Sequence, residues 1–176
     1  MECRSISSVS VDGRKIVGRP IIYGAQSENL GGFTEVIATG AFKESVSGDI
    51  RALVEHIPHL LLGRTQSGTL RIAEDNTGIT IEIDPPDTQA ARDLMVSIQR
   101  GDISGMSFGF TVPAGGDSWD YTKALALRTV NKAVLHEITI TSNPAYRNTE
   151  VALRNLQNNQ HWLSAFRQYL ALQEVL

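Results

Sequence analysis

The feature that most limits how this chain can fold is its punctuation. Turn signals at Asp12-Gly13, Gly31-Gly32 and Asp75-Asn76-Thr77-Gly78 cut it into short runs rich in Val, Ile, Thr and Leu. Gly, Asn and Asp at such points supply the backbone geometry of tight reversals, and β-branched residues suit a pleated surface, so the runs predict a mostly antiparallel β architecture. Segments 69–74 and 78–84 show this best: Leu70 and Ile72, then Ile79, Ile81 and Ile83, alternate with polar neighbours as in a half-buried hairpin. The pattern changes after Pro85-Pro86. Asp87 is a candidate N-cap, Ala91, Leu94, Met95 and Ile98 follow at helical spacing, and Gly101 supplies a stop, which predicts a helix near residues 87–100. A second helical pattern, carried by Trp162, Leu163, Phe166, Tyr169 and Leu170, runs on to Leu176. It has three readings: a helix docked on the core, a dimer interface, or an end left by truncation or processing. The organisation expected is a main domain over residues 1–154 and an amphipathic tail over 155–176.

Composition excludes several classes of function. A length of 176 residues suits one domain with a real core, and a net charge of −3 offers no basic field for a phosphate backbone, so a nucleic-acid partner is not expected. No apolar run approaches the roughly 20 residues of a membrane span, and the first residues lead into a polar, serine-rich stretch, so neither a membrane partner nor secretion is expected. Cys3 is the single cysteine and no intrachain disulfide can form, which fits a reducing, cytoplasmic setting. Residues 113–121, with Gly115-Gly116-Asp117, are the expected mobile loop.

Within this framework one strand-like segment carries a chemical signal: Gly105-Met106-Ser107-Phe108-Gly109-Phe110. Alternation puts Met106, Phe108 and Phe110 on one face and leaves Ser107 alone between two glycines on the other. Two readings follow. The glycines mark a bulge or tight sheet contact beside a solvated hydroxyl, or they let another backbone, such as a substrate peptide, approach a nucleophile. The pattern Gly105-x-Ser107-x-Gly109 also matches the nucleophile elbow of α/β-hydrolases. That elbow needs a helix directly after its serine, whereas residues 108–112 continue as a strand and stop at Pro113, so it is rejected.

Four histidines are available as partners: His56, His59, His136 and His161. His56 closes the apolar run Ala52-Leu53-Val54-Glu55, where a strand end beside a loop can hold a general base rigidly; a purely structural histidine is the alternative. His56 and His59 have a metal-like spacing, but Pro58 spoils a helical face and Cys3 is distant in sequence, so no metal and no other cofactor is expected. In the run 134–141, alternation groups Val134, His136, Ile138 and Ile140 on one face and Leu135, Glu137, Thr139 and Thr141 on the other. Glu137 is either a solvated strand carboxylate or the third member of a serine–histidine–acid triad.

Together these segments resemble one family, the prohead proteases of tailed bacteriophages, which are serine proteases that mature the capsid. Glu35-Val36-Ile37-Ala38-Thr39-Gly40-Ala41-Phe42 is similar to its Glu-x-Ile-x-x-Gly-Ala-Phe signature, and His56, six residues before Leu62-Gly63-Arg64, matches its histidine segment. Gly105 to Phe110 matches the nucleophile segment, and Glu137-Ile138-Thr139-Ile140 followed by Pro144-Ala145 matches the closing segment. Four motifs in order, over about residues 18–151, are specific where each alone is weak. Glu55 and Ile57 depart from the family's usual neighbours of the histidine.

The resemblance implies a compact, mostly antiparallel β-barrel with flanking helices, of the assemblin-like type found in herpesvirus capsid proteases. It implies an endopeptidase that cleaves the scaffolding part of the major capsid protein, and itself, inside the immature head in the host cytoplasm. Other procapsid proteins are implied partners, and a homodimer or higher homo-oligomer through the tail follows by analogy. Ser107 would be the nucleophile, His56 the general base and acid, and Glu137 the residue that orients the imidazole. Herpesvirus relatives use a second histidine in that third role, so His136 competes with Glu137; the alternation, which groups His136 with core residues, favours Glu137. Gly105, Gly109 and Arg147 are candidate oxyanion or substrate contacts. The rival reading is a catalytically silent capsid-assembly or scaffolding module of the same fold.

Overall fold

The computed structural model describes residues 1–7 and 9–142, together with Gln168 and Ala171. The candidate Arg147 and, apart from Gln168 and Ala171, the tail helix expected over 155–176 lie outside the described residues. In chain order the elements are β1 (Glu2–Ser7), β2 (Val9–Asp12), β3 (Lys15–Ile22), β4 (Phe33–Ile37), β5 (Arg51–Val54), β6 (Ile57–Arg64), β7 (Leu70–Asp75) and β8 (Gly78–Ile83). The helix α1 (Gln89–Arg100) follows, then β9 (Gly105–Thr111), β10 (Asp117–Asp120), β11 (Ala126–Val130) and β12 (Val134–Thr141).

Among the described residues the strands form three sheets, ordered β1-β9-β12-β5-β6, β10-β11-β4 and β2-β3-β8-β7. Pairing is antiparallel except between β12 and β5 and between β11 and β4, which run parallel. The mainly β expectation holds, but the closed, assemblin-like barrel is not found. Each sheet ends in two edge strands, and the layers meet through a shared apolar core instead of through continuous ladders.

Strand β9 delivers its predicted apolar face to that core. Met106, Phe108 and Phe110 are buried, and Phe42 meets the two phenylalanines edge-on at centroid distances of 6.0 and 5.9 Å. Burying each such side chain contributes roughly 1.5–3 kcal/mol, and the edge-to-face geometry fixes how the sheets seat. The helix packs Ala91, Leu94 and Ile98 inward as the spacing predicts. Its cap lies one residue later than expected: the Thr88 hydroxyl, not Asp87, accepts from the Ala91 amide, while Gly101 ends the helix in a left-handed conformation.

Three further differences have clear physical causes. The β7–β8 hairpin forms as expected, yet β8, paired with β3 and β7, is buried on both faces instead of one. Its Glu82 is tolerated there because Lys15 and Arg71 reach it at 2.9 and 2.8 Å. The loop expected over 113–121 contains β10, which pairs with β11. Glu35, fully buried, receives a two-bonded fork from Arg4 at 2.8 and 3.0 Å and a further bond from Arg128 at 3.1 Å. This ion cluster joins β1 to the β4–β11 sheet and gives the signature glutamate a structural role.

Candidate active site

The ladder order decides which side chains meet. β9 lies between β1 and β12, with Ser107 opposite Ser5 on one side and Thr139 on the other, and Gly109 between Cys3 and Glu137. Side chains in one row of a sheet share a face, so Ser107, Glu137 and Thr139 project together. All three are buried, with Ser107 only 1% exposed, so the hydroxyl is not the solvated surface group of the alternative reading.

His56 arrives from β5 by a sharp reversal. Glu55 and His56 form the two-residue link into β6 and have φ of 48° and 58°, while Val54 pairs with Ile57 across them. That is the left-handed geometry of a tight hairpin turn, normally filled by Asn or Gly; for other residues it costs of order 1–3 kcal/mol each. The surroundings hold the strain in place. The His56 amide donates to Thr139 Oγ1 at 3.0 Å and the Glu55 amide to the Ile140 carbonyl at 3.0 Å. The Glu55 carboxylate accepts from the Ser142 amide at 2.7 Å and the Thr141 hydroxyl at 2.8 Å. Burial pushes the Glu55 carboxyl up, but these two donors outweigh it and hold the group below its ordinary range.

The turn points the imidazole along the sheet face. His56 Nε2 is 2.8 Å from Ser107 Oγ, and His56 Nδ1 is 2.6 Å from Glu137 Oε1. A carboxylate can only accept, so Nδ1 donates to Glu137, and in the neutral imidazole the Nε2 lone pair faces the serine hydroxyl. The structure thus brings Ser107, His56 and Glu137 into one chain of hydrogen bonds. Arg51 Nη2 lies 3.9 Å from the second oxygen of Glu137 and leaves Oε1 to the histidine.

His136 lies elsewhere. Leu135 pairs with Phe110 and Glu137 with Gly109, so His136 is the extra residue of a β-bulge. The bulge shifts the alternation by one: Leu135 joins the core, and His136, expected with the core residues, instead bonds Thr111 Oγ1 at 2.8 Å near the surface. Downstream of the bulge the predicted alternation of Glu137, Ile138, Thr139 and Ile140 is intact.

Gly109 also acquires a different meaning. A Cβ on Gly109 would come within 2.8 Å of Glu137 Cγ and 2.9 Å of Met1 Sδ, so the missing side chain makes room for the acid rather than for a second backbone. Moreover, β9 is flanked on both edges, and the ladders to β1 and β12 engage its amides. Residues that sequence reasoning missed are Thr139 and Glu55; the left-handed turn they support had no Asn or Gly to announce it.

A family model described as caudovirus prohead serine protease matches residues 2–162. The chain is 27% identical over 154 residues to the prohead protease of Enterobacteria phage HK97, an alignment that takes in 80% of this chain. This chain spans 65% of that relative's length. No solved structure matches the chain significantly. The family match runs through all four motifs and through every residue of the hydrogen-bonded triad, and the chain belongs to the caudovirus prohead serine protease family.

Proposed function

We propose that this chain is a serine endopeptidase that cleaves the scaffolding part of the major capsid protein, and itself, inside the immature phage head. The observation that carries the reading is the pair of hydrogen bonds at 2.8 and 2.6 Å from Ser107 through His56 to Glu137. Ser107 Oγ attacks the scissile carbonyl carbon while His56 Nε2 takes its proton. The resulting imidazolium is held by Glu137, and Nε2 then passes the proton to the leaving amine. Water activated by the same nitrogen releases the acyl group. The closing segment with Arg147 is the candidate oxyanion contact by position. The catalytic domain is assigned to residues 1–154, with 155–176 as a helical tail able to pair with a second copy.

A fluorophosphonate probe tests the chemistry directly. Intact mass is expected to show one covalent adduct, mapped by digestion to Ser107; an unlabelled, correctly folded protein favours the silent capsid-assembly module instead. Gly109→Ala tests the geometry of the acid. The new methyl displaces Glu137 from beneath His56, and kcat is expected to fall about 10–100-fold with KM little changed. An unaltered kcat means that Glu137 and Met1 move aside without disturbing the histidine.

A further inference from the structure

Cys3, remote from the triad in sequence, is next to it in space. β1 and β12 place Cys3 and Glu137 in the same row on either side of Gly109, which has no side chain to separate them. His56 overhangs the pair. Its Nδ1 lies 3.9 Å from Cys3 Sγ and 2.6 Å from Glu137 Oε1, and the three ligating atoms lie within 4.8 Å of one another. A thiol, an imidazole and a carboxylate converging on one point form a donor set suited to zinc, leaving a fourth position for water.

The fit is close. Zinc bonds of about 2.0–2.3 Å place tetrahedral ligands roughly 3.3–3.8 Å apart. The sulfur–nitrogen separation of 3.9 Å already approaches this, and the histidine–glutamate pair at 2.6 Å needs only to open as a metal replaces the proton between them. Arg51 sits against the other Glu137 oxygen, at 3.9 Å, and leaves Oε1 facing the site. Zinc is bound by a thiolate, so the Cys3 thiol proton passes to solvent when the cation binds.

We propose that Cys3, His56 and Glu137 form a zinc site whose occupation switches the protease off. With the cation on Nδ1, the single proton of the neutral imidazole moves from Nδ1 to Nε2. That nitrogen then donates toward Ser107 and cannot accept its proton, while Glu137 is diverted from imidazole to metal. No residue of the triad is chemically altered, so the switch reverses when the metal leaves. The switching part rests on the triad reading above; the binding part does not.

The two parts are tested separately. Cobalt(II) added to the Ser107→Ala protein is expected to give a thiolate-to-cobalt charge-transfer band that saturates at one equivalent, and the Ser107→Ala/Cys3→Ser double variant is expected to lack it. In protein with intact Ser107, micromolar zinc is expected to inhibit peptide cleavage and a chelator to restore it. Cys3→Ser, measured against its own uninhibited rate, should need at least about tenfold more zinc. Absence of a thiolate band in Ser107→Ala, or equal zinc sensitivity with and without Cys3, overturns the site. A normal cobalt band in a chain that proves inactive upholds the site and removes only the protease reading.

Discussion

Ser107→Ala is expected to abolish cleavage, lowering kcat by about 10⁶-fold, the loss that follows removal of a triad nucleophile. The reason is electronic rather than structural. Ser107 Oγ is the atom facing the His56 lone pair, at 2.8 Å, and no neighbouring hydroxyl occupies the same position: Thr139 Oγ1 is engaged by the His56 amide. The fold is expected to survive. Ser107 is 1% exposed, so the change deletes one buried hydrogen bond at a cost of about 1 kcal/mol without opening a cavity larger than an oxygen. Co-expressed with the major capsid protein, the variant should leave both chains at full length by intact mass, with thermal unfolding near that of the parent. Continued self-cleavage in purified Ser107→Ala would assign the chemistry to another group.

Much of this site was legible in the sequence because strand alternation is a local property. Residues 105–110 and 137–141 each place their chemistry on one face and their bulk on the other, and that much needs no tertiary information. What the chain did not reveal are departures from alternation and contacts across long separations. The bulge at His136 has no Gly or Pro to signal it, so plain alternation through 134–141 puts Val134, Leu135 and His136 on the wrong faces. The Glu55–His56 turn uses residues that disfavour left-handed backbone; Thr139, Thr141 and Ser142, over eighty positions away, hold it. Cys3 enters the site only through the pairing of β1 with β9, and the buried Arg4–Glu35–Arg128 cluster depends on the same strand. Closure into a barrel was likewise a matter of sheet edges, which no local pattern encodes.

The identity of the third residue gives the second large effect. Glu137→Gln is expected to reduce kcat/KM about 10⁴-fold, because an amide at 2.6 Å from Nδ1 can donate where the carboxylate could only accept. A donating amide favours the tautomer with the proton on Nε2, and that tautomer offers Ser107 no lone pair. Glu137 is 3% exposed and the exchange is nearly isosteric, so the loss should appear in kcat with little change in thermal stability. His136→Ala should do almost nothing by comparison. His136 occupies a bulge and bonds Thr111 at 2.8 Å, so its removal forfeits one exposed contact of about 0.5 kcal/mol and should leave the rate within about twofold. Both variants are compared on one peptide substrate that the parent protein cleaves. If His136→Ala produces the greater rate loss, the third role passes to His136, and the 2.6 Å bond between His56 and Glu137 becomes a structural contact rather than the one that orients the catalytic imidazole.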